Sequence, residues 1–506
     1  MLLRCHEGTY PTPMKQLLLN VLAALLLSTA AWAQSSPDGY KITGRVNGLK
    51  DTTVVLAHYF GATQYIPKDT ARVDGAGNFL FDGPKTLPTG LYLVVMPKHG
   101  YVQFLIPDAS QQFSFQTDTS NVIKSMKITG SKENELFYRY QQQLSKLNEE
   151  AQALNTQRKL RTDATSAGSF NQQMAALQKQ AQSQRDLFMK ENAGTFAVKL
   201  INASAEPEVP PAPKLANGRP DSVWVFNYFK SHFWDNYDFA DERFVRTPLL
   251  QTKIDRYLKE LTVQSADSLI KEADYMVGKA ISGKNKEVKA YTIWYITSQY
   301  EQPKVMGTDG LYVHMFEKYY ATGVMPTTDT STIRKIGERV ATLKPTLVGK
   351  TLVSPSVSDT LRRPISLSAI KADYTVVFFY APHCGHCRDS APKLKKYVDA
   401  NKGKGVEVLA IPVEDSPEEW KKFIKEFKLQ KALNGYDYAS RTNYRLQYDV
   451  WTTPTVYVLD KSKKIIARKL PVEEIENFIA FHRKQQSATQ PNKIIAPANA
   501  KASVKK

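Results

Sequence analysis

Cysteine is nearly absent from this chain of 506 residues, which holds only Cys5, Cys384 and Cys387. That scarcity excludes a scaffold stapled by several disulfides, the usual device of small exported domains. No long apolar run is present at the N-terminus either. Leu17–Leu27, broken by Asn20, falls well short of the roughly 20 helical residues that span a bilayer. Acidic residues are in deficit, 49 against 68 Lys and Arg, which gives a net charge of +19. Histidine is sparse at eight residues, and no second CxxC and no HxxxH occurs, so a site needing several such ligands has little to draw on. No clear internal repeat is present, which argues against a solenoid.

The short apolar run fits a secretory leader. Met14 and Lys15 precede it, and a small-residue stretch ending Ala31-Trp32-Ala33 follows before Gln34. The sequence therefore predicts a signal peptide over 1–33 and a mature chain in the periplasm or cell envelope, with no stable membrane span after cleavage. Cleavage would remove Cys5, and no cysteine stands at the new terminus to take a lipid. An exported chain is not expected to meet nucleic acid, so the basic excess reads as solvated surface or as attraction to acidic envelope partners.

Three grammars follow one another along the chain, giving a multidomain fold class: an N-terminal all-β sandwich-like domain, a central α-helical region and a C-terminal α/β domain. Over 38–130 polar and apolar residues alternate, as in Tyr40, Ile42, Gly44 and Val46. Turns such as Asp74-Gly75-Ala76-Gly77-Asn78 separate the runs, so an antiparallel sandwich or barrel is expected. His58 and His99 stand alone there and read as surface or packing residues.

Over 131–344 the period is helical. Leu136, Phe137, Tyr140, Leu144 and Leu147 form one stripe, with Met174, Leu177 and Phe188 expected to face inward beyond it. The segment Glu206–Pro220 carries five prolines and must be a loop. Trp224, Phe226, Tyr228, Phe229, Phe233, Trp234, Tyr237 and Phe239 follow and read as packing between helices. Ile254, Tyr257, Leu258 and Leu261 continue the helical spacing.

The segment 345–486 reads as α/β. Tyr374–Tyr380 and 406–413 are apolar runs suited to strands buried on both faces. Ser416-Pro417-Glu418-Glu419 opens a helix with a capping box. Strands at 455–459 and 464–468 and a closing helix from Val472 complete the domain, and 487–506 reads as a disordered basic tail.

The two remaining cysteines sit in Tyr380-Ala381-Pro382-His383-Cys384-Gly385-His386-Cys387, at a strand–turn–helix junction. A cysteine opening a helix meets unpaired N–H groups and the positive end of the helix dipole, both of which favour thiolate over thiol. Three residues on, Cys387 shares its helix face and can attack a mixed disulfide formed by Cys384. His383 and His386 flank Cys384 and, protonated, would favour the thiolate further.

This stretch resembles the thioredoxin superfamily. Pro392, five residues after Cys387, matches the proline inside the family's active-site helix. Thr453-Pro454, opening a strand, matches its cis-proline, which implies a role in holding an extended substrate backbone. The eight-residue stretch is close to the active site of protein disulfide isomerase. The helix over 416–428 and the leader look more like the TlpA/ResA thiol-disulfide reductases of the cell envelope. Upstream, Tyr40-Lys41-Ile42-Thr43-Gly44, Gly90-Leu91-Tyr92 and Phe233–Tyr237 resemble a recurrent Bacteroidetes architecture of β-domain, helical region and redox domain.

Two positions depart from the pattern. Phe378 stands where thioredoxin and the isomerases keep a buried acid, and His383 where a tryptophan is usual. Glu414 and Asp389 are the candidate proton acceptors for Cys387.

Rival chemistries fit less well. His383, Cys384, His386 and Cys387 crowd one turn and cannot encircle a zinc ion. Covalent haem needs CxxCH, whereas Arg388 follows here, and a peroxiredoxin would carry threonine where Ala381 stands.

The sequence thus predicts an exported dithiol–disulfide oxidoreductase with redox-active Cys384 and Cys387 and no metal or other cofactor. Its expected partners are disulfide-containing envelope proteins and an upstream thiol electron donor. The other class is an envelope binding or assembly protein whose redox domain is a sensor or scaffold.

Overall fold

The computed structural model describes residues 39–108, 110–160, 164–326, 329–414 and 416–489. The expected leader lies outside them, as does the expected tail beyond Thr489, where the closing helix stops. That helix thus takes three residues the sequence assigned to the tail. The described residues form two compact units, those up to 205 with 246–248, and 206–245 with those from 249 on. The helical region is therefore shared between them.

The first unit begins with eight strands: β1 Tyr40–Asn47, β2 Thr53–Phe60, β3 Gln64–Arg72, β4 Asn78–Gly83, β5 Gly90–Met96, β6 Gly100–Ile106, β7 Gln112–Asp118 and β8 Lys127–Thr129. They form two four-stranded sheets, ordered β4-β1-β7-β8 and β3-β2-β5-β6. Strict alternation in β1 buries Tyr40, Ile42, Gly44 and Val46. Phe104 of the second sheet meets Phe113 and Phe115 of the first at 5.4 and 5.9 Å between centroids.

One pairing departs from the expected antiparallel order, because β1 and β7 run parallel. The chain leaves the first sheet after β4, builds β5 and β6 in the other sheet, and re-enters on the free side of β1. Gly44 has no room for a side chain, since a Cβ there would stand 2.3 Å from the Phe79 ring.

Helices Lys132–Leu160 and Ala164–Glu191 follow. Tyr140 near the start of the first meets Phe188 near the end of the second at 5.0 Å, so the pair doubles back. Leu136, Phe137, Leu147 and Phe188 are buried as expected, but Leu144 is exposed and Met174 and Leu177 are only half-buried. A two-helix pair has only one mutual face to cover, so part of the stripe stays in water. Both carboxylate oxygens of Glu133 accept from the first N–H groups of helix Phe196–Ser204, at 2.9 Å each.

The second unit opens with helix Ser222–His232, and here the aromatic cluster divides. Phe233, Trp234, Tyr237 and Phe239 are core, but the helix itself buries no residue and Phe226 is exposed. Trp224, Tyr228 and His232 instead stack along its surface at 5.2 and 4.0 Å. Spacing four residues apart brings these half-buried rings together on one helix face. Helices Leu249–Lys259, Ala266–Ser282, Lys286–Gln299, Gly310–Met315 and Thr330–Leu343 follow. Ile254, Tyr257, Leu258 and Leu261 face their core.

A small ribbon, β9 Val357–Ser358 with β10 Pro364–Ile365, leads into the last sheet. That sheet comprises β11 Tyr374–Tyr380, β12 Val406–Pro412, β13 Leu433–Asn434, β14 Thr455–Leu459 and β15 Ile465–Arg468, ordered β13-β12-β11-β14-β15. Every residue of the central strand β11 is buried. Val376, Phe378 and Tyr380 pack with Leu394 and Ile475 on one face, while Val377 and Phe379 pack with Leu367 and Tyr448 on the other. A strand covered on both faces cannot alternate, which is why its sequence is uniformly apolar.

Candidate active site

Strand β11 ends at Tyr380, and the turn after it closes with the Cys384 N–H donating to the Ala381 carbonyl at 3.0 Å. Helix Gly385–Asn401 begins next, with Cys384 as its N-cap in extended conformation. The Cys384 side chain makes no capping hydrogen bond as the thiol, but the main-chain N–H groups of His386 and Cys387 at the helix start favour its thiolate. Antiparallel pairing of Phe379 with Thr455 sets the start of β14 beside this turn. That register brings Thr453 to Cys384, whose Sγ donates to the Thr453 carbonyl at 3.3 Å. The Thr453–Pro454 peptide is cis.

The two cysteines occupy opposite environments. Cys384 is partly exposed and Cys387 is wholly buried, packed with Phe378, Tyr380 and Ala391. Partial burial of Cys384 works against its thiolate. Hydrogen bonds from the Cys387 and Thr453 side chains and from the two N–H groups outweigh that burial and leave its pKa lowered. Burial first, and then the neighbouring Cys384 sulfur, push the Cys387 thiol up to about 12. The pair therefore holds one thiol biased toward thiolate and one kept protonated.

The other sequence-predicted residues fall around this pair. His383 is exposed, with Nε2 3.7 Å from the Glu419 carboxylate. His386 is also exposed, and its link to the Cys384 sulfur is through the main chain. Pro392 lies inside the active-site helix, where its missing N–H leaves the Arg388 carbonyl without its usual donor. Phe378 is fully buried and stacked on Tyr380 at 5.4 Å, so no carboxylate stands at that position. Glu414 points to the surface and pairs with Arg445 at 3.2 Å, and Asp389 is exposed. Among the described residues, no group of three or more His, Cys, Asp or Glu could hold a metal ion, and no helix is long and apolar enough to cross a membrane. A cavity of about 520 Å³ bounded by Lys371, Asp373 and Lys463 lies at the other end of β11, away from the cysteines.

Sequence reasoning missed Asp449. It caps helix Tyr444–Tyr448 in the left-handed region (φ 52°), four residues before Thr453, and its side chain is fully buried. Arg339, Arg468 and Lys469 converge on its carboxylate. Arg339 lies 110 residues away in sequence, so no local pattern announces the contact.

Comparison with known proteins accords with this geometry. Residues 348–468 match the model of the AhpC/TSA family. Residues 40–137 and 171–342 match two domains of unknown function, DUF4369 and DUF5106. Among curated proteins the chain is similar to the thiol-disulfide oxidoreductase ResA of Bacillus cereus. The two are 24% identical over 135 residues, which is 26% of this chain and 76% of that protein. Among solved structures, a domain of a possible thiol-disulfide isomerase from Cytophaga hutchinsonii is 36% identical, with a TM-score of 0.27. It covers 28% of this chain and 97% of its own. A thioredoxin-like protein from Bacteroides caccae is 20% identical with a TM-score of 0.44, covering 54% of this chain and 98% of its own.

Proposed function

We propose that this chain, which belongs through its C-terminal domain to the TlpA/ResA-like branch of the thioredoxin superfamily, is an exported thiol-disulfide oxidoreductase that reduces or isomerises protein disulfides. The observation that carries the reading is the pairing of an N-capping Cys384 of lowered pKa with a buried Cys387 held protonated. The expected leader over 1–33 supports export. Disulfide-containing envelope proteins are the proposed substrates.

The Cys384 thiolate attacks one sulfur of the substrate disulfide. A new S–S bond forms to Cys384, the substrate S–S bond breaks, and the leaving sulfur departs as thiolate and takes a proton. Thr453 and Pro454 hold the substrate backbone beside the reacting sulfur. Cys387 then loses its proton and attacks Cys384, which releases the second substrate thiol and leaves a Cys384–Cys387 disulfide. Two electrons have passed to the substrate, and an upstream thiol donor must return them.

Part of what keeps Cys387 protonated is the charge on Cys384. That charge vanishes once Cys384 is bonded to substrate, so the resolving thiol becomes more acidic when it is needed. In isomerisation the mixed disulfide is instead attacked by another substrate thiol, and no net electrons move.

The reading is tested with the purified full chain, insulin and excess dithiol. Turnover is expected, and Cys384→Ala should abolish it. Cys387→Ala should retain a mixed disulfide on Cys384 that survives denaturing gels without reductant and identifies the partners. A parent that leaves insulin disulfides intact at the background rate would instead favour a sensor or assembly role.

A further inference from the structure

The loop that faces the reactive sulfur is tied to the helical region by buried charge. Asp449 opens the segment running through Trp451 and Thr452 to Thr453, and its carboxylate is fully buried. Arg339, from helix Thr330–Leu343, grips it with both terminal nitrogens, Nη2 at 3.3 Å. Arg468, the last residue of β15, grips it from another side, and Lys469 Nζ lies 3.1 Å away. Arg468 is itself held, donating through Nη1 to the Thr346 carbonyl at 3.2 Å and to its hydroxyl at 3.1 Å. The same nitrogen lies 3.3 Å from Asp309, just before helix Gly310–Met315. Burying this much charge is costly unless each group is paired, and a network so paired has few alternative arrangements.

We propose that Asp449 is a positioning residue, through which Arg339 of the helical region and Arg468 of β15 hold the Thr453 carbonyl and side chain against Cys384. The helical region is then part of the support of the redox site and not only a surface for partners. The inference rests on the dithiol reading of Cys384 and Cys387. It goes beyond that reading by giving the upstream region a defined mechanical role. The backbone runs only four residues from Asp449 to Thr453, so displacement of one is felt at the other. Misplacing a reacting group's contacts by about 1 Å costs on the order of 100-fold in rate.

The test uses the full chain with Arg339→Met, Arg339→Lys and Asp449→Asn, and it reads the Cys384 thiolate by ultraviolet absorbance against pH, with no substrate present. Arg339→Met removes a positive charge, whereas Asp449→Asn removes a negative one. A long-range field effect would therefore move the Cys384 titration in opposite directions. A slackened loop changes the Thr453 contacts alike in both variants, so both titrations should move in the same direction. Arg339→Lys keeps the charge but not the two-pronged grip, so it too should shift in that shared direction, by less than Arg339→Met. Insulin kcat/KM should fall about tenfold or more in Arg339→Met.

Opposite shifts, or an unmoved titration in a folded Arg339→Met, would overturn the proposal. Should Asp449→Asn fail to fold, the two Arg339 variants decide alone. An inactive parent whose variants still shift together would overturn the oxidoreductase reading and leave the clamp standing.

Discussion

The Cys384 thiol donates to the main-chain oxygen of Thr453 across 3.3 Å, although 69 residues separate them. The contact joins the turn after β11 to the turn before β14, and the neighbouring antiparallel ladder fixes its register. An extended substrate meeting the Thr453 backbone would thus present its disulfide where the more acidic of the two thiols waits. Cys387, wholly buried behind it, is placed to attack the Cys384 sulfur once that sulfur is bonded to substrate.

Reduction should follow the ionisation of Cys384. Its pKa is lowered in the fold, and the thiolate is the nucleophile, so the single-turnover rate with a small disulfide should rise with pH through that lowered value. The midpoint of the rise should lie below that of an ordinary cysteine, about 8.5. Cys387, pushed up to about 12, should contribute no second rise at neutral pH. A profile that climbs only above the ordinary cysteine range would contradict the lowered Cys384.

We propose that His386 tunes Cys384 through two separable groups. Its main-chain N–H favours the Cys384 thiolate, while its imidazole is exposed. We expect His386→Ala, which keeps the N–H, to shift the Cys384 titration slightly upward, and His386→Pro, which removes it, to shift it further. Destabilising the thiolate disfavours the reduced form, so His386→Pro should also make the couple more reducing. The parent is expected nearer protein disulfide isomerase, about −180 mV, than thioredoxin, about −270 mV. Equilibration with glutathione buffers measures this, and equal shifts in the two variants would assign the whole effect to the imidazole.

Gly77 should be irreplaceable in the β-domain. Its φ is +85°, and a Cβ would stand 2.4 Å from the Val46 carbonyl oxygen. Left-handed backbone costs an L-residue about 1–2 kcal/mol, and the clash with main chain adds to it. Gly77→Ala should lower the unfolding midpoint of the first unit by the equivalent of about 2 kcal/mol or more. Insulin reduction assayed below that midpoint should be unchanged.

Asp449 gives the second unit an acid sensitivity. Burial alone would raise its pKa, but Arg339, Lys469 and Arg468 hold it below the usual carboxylate range. A carboxyl depressed in the fold stabilises it above the unfolded pKa of about 3.9, and that contribution is lost as pH falls through the folded value. Asp449→Asn should cost about 3–5 kcal/mol at neutral pH, because it strands buried cations. It should also lose stability less steeply on acidification than the parent. Urea midpoints at neutral and acid pH check both.

What the sequence determined by itself was whatever is encoded locally. β11 and β14 match their apolar runs end to end, because strands buried on both faces need no partner to declare them. Ser416 caps its helix through the Glu419 N–H at 3.3 Å, as the box in the sequence required. Cys384 as the residue that opens a helix, with Cys387 buried in its first turn, follows from the strand–turn–helix reading of that stretch. The two-residue strands β9, β10 and β13 and helix Tyr444–Tyr448 are too short to show a period. The aromatic run from Trp224 to Phe239 declared its apolar character but not which rings find a partner, and only the part from Phe233 onward is buried. Tertiary structure alone decided the parallel pairing of β1 with β7, since a strand's composition does not say which neighbour it meets. It alone decided that an aspartate between Tyr448 and Val450 would be fully buried, because the arginines that make this tolerable come from another helix and another strand.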